Sequence, residues 1–282
     1  MEGGAVRAIY SAGVCDGLLD GDIMPDYVVG VSAGIGNGVS YVSRQRERNL
    51  QVMLNYVNDK RYMSARNFLK PGNRSYFGLD FAYDEIPNKL QPFDFQTFAS
   101  FPGEVEAVVT NLRTGRPMYL PVTAEDKQFQ ILRVTCALPL LFPVMKIEGQ
   151  PCMDGGVADA IPYRRAFAKG CDRVVVVLTR ERDYVREPEK LEPMMTRLYR
   201  RYPKFCDAMR RRVDRYNEGR RKLFDLEREG KAFLFAPDST AGFSRTERDL
   251  NKITALWQQG VNHASQRMEE LNRFLEVSRV GL

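Results

Sequence analysis

Five residues, Gly30-Val31-Ser32-Ala33-Gly34, constrain this chain more than any others. They fit Gly-x-Ser-x-Gly, the pentapeptide that sets a serine on a sharp turn between a strand and a helix. The glycines matter sterically, because their missing side chains permit strained backbone angles and a close approach of strand and helix. The flanks agree with the motif. Tyr27-Val28-Val29 reads as a short buried strand, and Ala33 to about Gln45 as a helix rich in small residues. The serine hydroxyl then projects into open space.

A serine hydroxyl needs a base to act as a nucleophile at neutral pH. The chain has one histidine, His263, in a stretch that reads as a helix with no Gly-rich or strand-end context. It is read as an ordinary helix histidine, so another base must be sought. Met153-Asp154-Gly155-Gly156 offers one. A carboxylate at a strand end beside glycines can point into a site, although Asp-Gly is also a common plain turn.

The third feature is Glu2-Gly3-Gly4-Ala5-Val6-Arg7, a Gly-rich turn before a helix running from about Val6 to Leu19. Exposed amides at such a turn stabilise negative charge. In an acyl hydrolase that charge is the tetrahedral oxyanion. The phosphate-loop and dinucleotide fingerprints are both absent at this turn.

The three elements in this order resemble the patatin-like phospholipase family, whose machinery is a Ser-Asp dyad without histidine. Thr135-Cys136-Ala137-Leu138-Pro139-Leu140-Leu141-Phe142-Pro143 is similar to that family's Ala-x-x-Ala-x-Pro-x-x-Phe-x-Pro block. Gly155 to Pro162 is similar to its segment after the dyad aspartate. The resemblance runs from Glu2 to about Thr179. The tail resembles that of a bacterial subgroup with a helical C-terminal extension. By position, the resemblance makes Ser32 the nucleophile and Asp154 its base. It makes the amides of Gly3, Gly4 and Ala5 the oxyanion hole, braced by Arg7. Gly30, Gly34, Gly155 and Gly156 support the two catalytic turns. Two departures stand out. Ala5 and Ala8 replace family glycines. The family also has a strand just before the Gly-rich turn, which here follows Met1 directly, so that central strand is expected to be missing.

The resemblance implies a three-layer α/β/α fold with a mostly parallel central sheet and a helical C-terminal extension. Residues 1–180 are expected to form the catalytic domain and 181–282 an extension packed on it. Local patterns agree with an α/β chain. Val105 to Asn111 and Pro117 to Leu120 read as a hairpin. Arg173 to Thr179 is a β-branched run suited to a strand buried on both faces. Ala232 to Ala236 is another strand candidate. Glu125 to about Leu138 reads as a helix ended by Pro139, and Thr246 to about Glu276 as a long one broken near Gly260.

Composition bounds the rest. No run approaches the roughly 18 apolar residues that span a membrane, and the N-terminus lacks a signal-peptide pattern. Five cysteines without a Cys-x-x-Cys argue against a disulfide framework or a zinc site. The expected location is the cytoplasm, with peripheral contact at the inner membrane surface. Tyr62 to Phe101 holds ten Tyr and Phe residues, which form either an acyl-binding wall or plain packing. Arg197 to Lys222 carries eleven Lys and Arg against three Asp and Glu. With the net charge of +6, that segment could attract anionic headgroups, or it could be a solvated helical face. No nucleic-acid motif accompanies the charge, and no nucleic-acid partner is expected. The expected function is hydrolysis of lipid acyl esters through an acyl-enzyme, with no metal or organic cofactor. A small-ester esterase, a thioesterase, an acyltransferase and an inactive lipid-binding relative are the alternatives.

Overall fold

The computed structural model describes residues 1–70, 73–188 and 191–276. The last residues of the expected extension, 277–282, lie outside that set. In chain order the elements are α1 (Ile9–Asp20), β1 (Tyr27–Val31), α2 (Ala33–Val42), α3 (Arg48–Tyr56) and α4 (Phe95–Ser100). Next come β2 (Glu104–Asn111), β3 (Pro117–Pro121), α5 (Gln130–Thr135), β4 (Met145–Ile147), β5 (Gln150–Asp154) and α6 (Tyr163–Ala168). The chain continues with β6 (Val174–Val177), α7 (Glu192–Leu198), α8 (Pro203–Arg210), α9 (Arg212–Arg228) and β7 (Ala232–Phe235). It ends with α10 (Leu250–Gln266) and α11 (Met268–Glu276). A π-helical turn spans Phe81–Leu90.

The strands are covered on both faces, and their side-chain alternation shows it. Val28, Val105, Ala107, Val177, Phe233 and Phe235 join one apolar core with α1, α2 and α10. Their neighbours Val29, Val31, Val108, Val176 and Leu234 join a second core with α6 and α9. Period-two alternation between two packed layers of helices is the signature of an α/β/α sandwich. Strand β7 and helix α10 follow residue 180, yet they are built into the same layers as β6 and α1.

Strand direction departs from the expectation of a mostly parallel sheet. The sheet is mixed: β1 pairs parallel with β2, but β3 and β5 pair antiparallel with β2, and β4 with β5. A two-residue turn causes part of this. Glu148 and Gly149 have φ of 49° and 74°, the left-handed pair that closes a tight hairpin between β4 and β5. Strand β6 pairs parallel with β7 in a separate two-stranded unit.

Met1 and Glu2 bridge the two units. The Met1 ammonium donates to Val29 O at 2.9 Å and Val31 N–H to Met1 O at 3.2 Å. On the other side Glu2 N–H donates to Val177 O at 3.0 Å. Among the described residues no further strand lies at this place.

Two helix expectations are corrected. The helix expected over Glu125 to Leu138 is only α5, because buried Phe129 takes a left-handed φ of 49° directly before it. Helix α10 runs unbroken through Gly260, and the break falls at Arg267. Gly260 is where α1 lies against α10: a Cβ there would sit 2.3 Å from Tyr10 O. A Cβ on Gly13, opposite, would sit 1.9 Å from Trp257 O. Backbone-to-backbone packing of this kind needs glycine on both helices.

Candidate active site

Strand β1 delivers Ser32 to the edge of the sheet. Its backbone has φ 54° and ψ −136°, a conformation that costs on the order of 1–3 kcal/mol for a residue with a Cβ. The surroundings hold it there. Ser32 N–H donates to Thr135 Oγ1 at 2.9 Å, and Thr135 Oγ1 donates to Val108 O on β2 at 2.5 Å. Gly34 is required because a Cβ would meet Glu2 O at 2.3 Å. Gly30 likewise lies under Met1, whose Cβ would be 2.9 Å from an added one.

The Gly-rich turn lies across this elbow. The buried Glu2 carboxylate clamps it, accepting the Thr179 N–H and the Tyr216 O–H, each at 2.6 Å. Thr179 Oγ1 in turn donates to Gly3 O at 3.0 Å. The N–H groups of Gly3, Gly4 and Ala5 have no acceptor among the described residues. They are donors free to meet a developing oxyanion.

Ala5 holds a left-handed φ of 50°, the region that favours glycine. Ala5→Gly is expected to raise unfolding stability by up to about 1 kcal/mol, the relieved strain less the entropy gained by the unfolded chain. Urea denaturation checks this. A loss of stability would mean that the methyl packs better than the backbone is strained.

Arg7 is buried beside the turn, and its Nε has no hydrogen-bond partner among the described residues. Burial, and then the charges of Arg180 and Arg245, lower its pKa to about 10.

Asp154 ends β5, at 2% exposure. Its Oδ1 accepts the Gly156 N–H at 2.7 Å. Its Oδ2 is buried without a hydrogen-bond partner. Burial raises the carboxyl pKa above the ordinary value. The Gly156 N–H, Arg212, the nearby Ser32 hydroxyl and Arg245 act in the opposite direction, in that order. A raised pKa and a vacant oxygen are what a general base for an alcohol requires. Gly155 lies against β2, where a Cβ would meet Val108 O at 2.2 Å. The Cys136 thiol neighbours this pair, and burial pushes it up to about 12, which leaves it inert.

Ser32 stands in the wall between two cavities. On one side is an apolar cavity of about 190 Å3, lined by Tyr62, Phe77, Tyr83, Phe93, Leu132 and Phe142 among others. Four of these come from the aromatic-rich segment. On the other side is a polar pocket of about 60 Å3 that holds Asp154 and the Gly-rich turn. Ala5, Ser32 and Leu138 line both.

His263 lies elsewhere. On α10, its Nδ1 is 2.9 Å from the Tyr10 hydroxyl and its Nε2 is 3.5 Å from Asp238. It lines neither cavity. His263→Ala is expected to keep more than half of the wild-type ester turnover. A thousandfold fall in kcat with the fold intact would make this a histidine-dependent hydrolase.

A family model described as patatin-like phospholipase matches residues 1–167. The chain belongs to the patatin-like phospholipase family. A second model, a domain of unknown function (DUF6363), matches residues 202–276. Among curated proteins, the uncharacterized protein YjjU of Escherichia coli (strain K12) is 25% identical over 192 residues, 63% of this chain. The chain spans about half the length of that relative.

In this patatin-like chain the structure brings Ser32, Asp154 and the Gly3–Ala5 turn to one place. Sequence reasoning missed Glu2 as the clamp and Thr179 as its partner. It also missed Arg212, whose Nε donates to Gly156 O at 2.8 Å. Arg212 lies within the basic run and opens α9, and no local signal in the sequence separates it from Arg210 and Arg211. Among the described residues no group of three or more His, Cys, Asp or Glu side chains is placed to hold a metal ion.

Proposed function

We propose that this chain hydrolyses acyl esters of lipids by a Ser32–Asp154 dyad. The observation that carries the reading is the position of Ser32, which lines both a polar pocket holding the buried Asp154 carboxylate and an apolar, aromatic-lined cavity of about 190 Å3. Asp154 Oδ2 takes the Ser32 proton as Oγ attacks the ester carbonyl. The Gly3, Gly4 and Ala5 amides hold the oxyanion. When the tetrahedral species collapses, the leaving alcohol takes the proton from Asp154 and the acyl group stays on Ser32. Water then attacks the acyl-enzyme as Asp154 accepts its proton; the second tetrahedral species expels Ser32 Oγ, which takes that proton back from Asp154, and the fatty acid leaves.

The apolar cavity favours a lipid chain over a small soluble ester. Turnover of a phospholipid and glyceride panel, with Ser32→Ala as control, tests the reading. Hydrolysis confined to acetyl and butyryl esters would replace it with a small-ester esterase.

The partner side of the reading is a lipid surface at the cytoplasmic face of the membrane. Among the described residues no helix is long and apolar enough to cross one. Instead, α7 and its flanks expose Leu191, Met194 and Leu198 in the same stretch as the basic residues Arg197, Arg200 and Arg201. Apolar side chains among cations suit an anionic interface. Arg200→Gln with Arg201→Gln and Leu198→Ser is expected to weaken sedimentation with anionic vesicles several-fold at low salt. Equal sedimentation of the wild type with anionic and neutral vesicles would contradict it. Arg212 is not part of this surface, since it reaches the dyad's pocket.

A further inference from the structure

The apolar cavity beside Ser32 is not apolar throughout. It runs along α2, whose Ala33, Gly36, Asn37 and Ser40 line it from one face. Its near end is marked by Cys136, which neighbours Ser32, with Tyr83 against Cys136. Ser40 lies about 12 Å further along the helix, by the rise per residue from Ser32. There the lining turns polar. Ser40 Oγ donates to Asn49 Oδ1 at 3.0 Å, and Arg48 and Asn49 both line the cavity. The Arg48 guanidinium carbon stands 5.4 Å from the centre of the Phe93 ring, which lines the cavity too.

This end holds donors and no acid. Arg48 Nη2 donates to Gln91 O at 3.0 Å, but its Nε is buried without a hydrogen-bond partner. Asn49 commits its side-chain carbonyl to Ser40, and its amide N–H groups have no acceptor among the described residues. Among the described residues no carboxylate pairs with Arg48. Burial lowers the guanidinium pKa to about 10, which leaves it charged at neutral pH. A cation in an apolar wall without a counter-ion costs free energy that a bound anion returns. A carboxylate offers two oxygens to these donors, and its bond to a guanidinium is charge-assisted. A methyl-ended chain lies against the unpaired charge instead. Gln91 Oε1 also lacks a partner, but Gln91 does not line the cavity.

We propose that Arg48 and Asn49 form a subsite for the far end of the acyl chain, so that the cavity takes chains of medium length that end in a carboxylate. Half-esters of dicarboxylic acids and oxidised acyl chains belong to that class. The inference rests on the hydrolase reading above for the placement of the ester at Ser32. Arg48 acts by binding alone, since it stands about two helical turns from the bond that breaks.

Calorimetry on Ser32→Ala tests the subsite without turnover. The probes are three glycerol esters of equal chain length: monodecanoylglycerol, its ω-hydroxy analogue, and monosebacoylglycerol, which ends in a carboxylate. Monosebacoylglycerol is expected to bind at least as tightly as monodecanoylglycerol, although its ionised end favours water. Adding Arg48→Met should turn the ratio of the two affinities by about tenfold or more toward the methyl-ended ester, and Arg48→Lys should keep part of the original ratio. The comparison on Ser32→Ala alone decides the matter if an Arg48 variant misfolds. Weaker binding of monosebacoylglycerol than of monodecanoylglycerol there would overturn the proposal. So would a hydroxy ester that binds as tightly as the carboxylate, which would make this a polar lining and not an anion subsite. An unchanged ratio in a folded Arg48→Met would overturn it as well. A carboxylate preference in a chain that, with Ser32 restored, hydrolyses none of the three esters would sink the hydrolase reading and leave the subsite standing.

Discussion

Ser32→Ala is expected to lower ester turnover by between about 10⁴- and 10⁶-fold, the scale seen when a catalytic serine is removed. The change deletes one oxygen. The backbone strain at φ 54° stays, and so does the Ser32 N–H bond to Thr135, so the fold should survive with an unchanged far-ultraviolet circular dichroism spectrum. Steady-state turnover of a p-nitrophenyl ester by the purified variant measures the effect. Turnover within tenfold of wild type would remove Ser32 from the chemistry.

Asp154→Asn is expected to lower kcat by about 10²-fold or more, because an amide cannot take the serine proton. The same change should stabilise the fold at neutral pH. Burial raises the Asp154 pKa in the folded state above its unfolded value. Between those two values the folded chain keeps the proton that the unfolded chain releases. Stability is therefore lost as pH rises through that window, and the full penalty is present above it. Asparagine carries no charge to bury, and its carbonyl can still accept the Gly156 N–H. The melting temperature of Asp154→Asn should exceed that of wild type at pH 7, and the gap should close as pH falls to about 4. In wild type, kcat/KM should rise with pH along a limb whose midpoint lies above the ordinary aspartate value of about 3.9. A variant that keeps half of wild-type kcat would reduce Asp154 to a turn residue.

Local signals were legible wherever one short segment decides its own structure. The β-branched run at Val174–Val177 and the apolar Ala232–Phe235 are strands because both faces are buried. The elbow at Ser32 was readable because glycines flank it at fixed spacing. What the sequence hid depends on contacts between distant segments. Helix α10 runs through Gly260, where the glycine serves the close approach of α1 at Gly13 and does not mark a break. Strand β5 turns antiparallel through Glu148-Gly149, a turn that carries no Asn-Gly or Asp-Gly flag. The Glu2 clamp joins residues 177 and 214 positions apart, and no local pattern announces such a pair. The arginines of the polar pocket were masked for a similar reason. Arg212 sits in a run of basic residues, and only the packing of α9 separates it from its exposed neighbours Arg210 and Arg211.

The central claim is that Ser32 is the nucleophile. Reaction with a fluorophosphonate, followed by peptide mass mapping, tests it most directly. The account predicts one adduct per chain, on the peptide containing Ser32, with none on Ser32→Ala and full labelling of His263→Ala. No adduct on the wild type, or an adduct on any other residue, would contradict it.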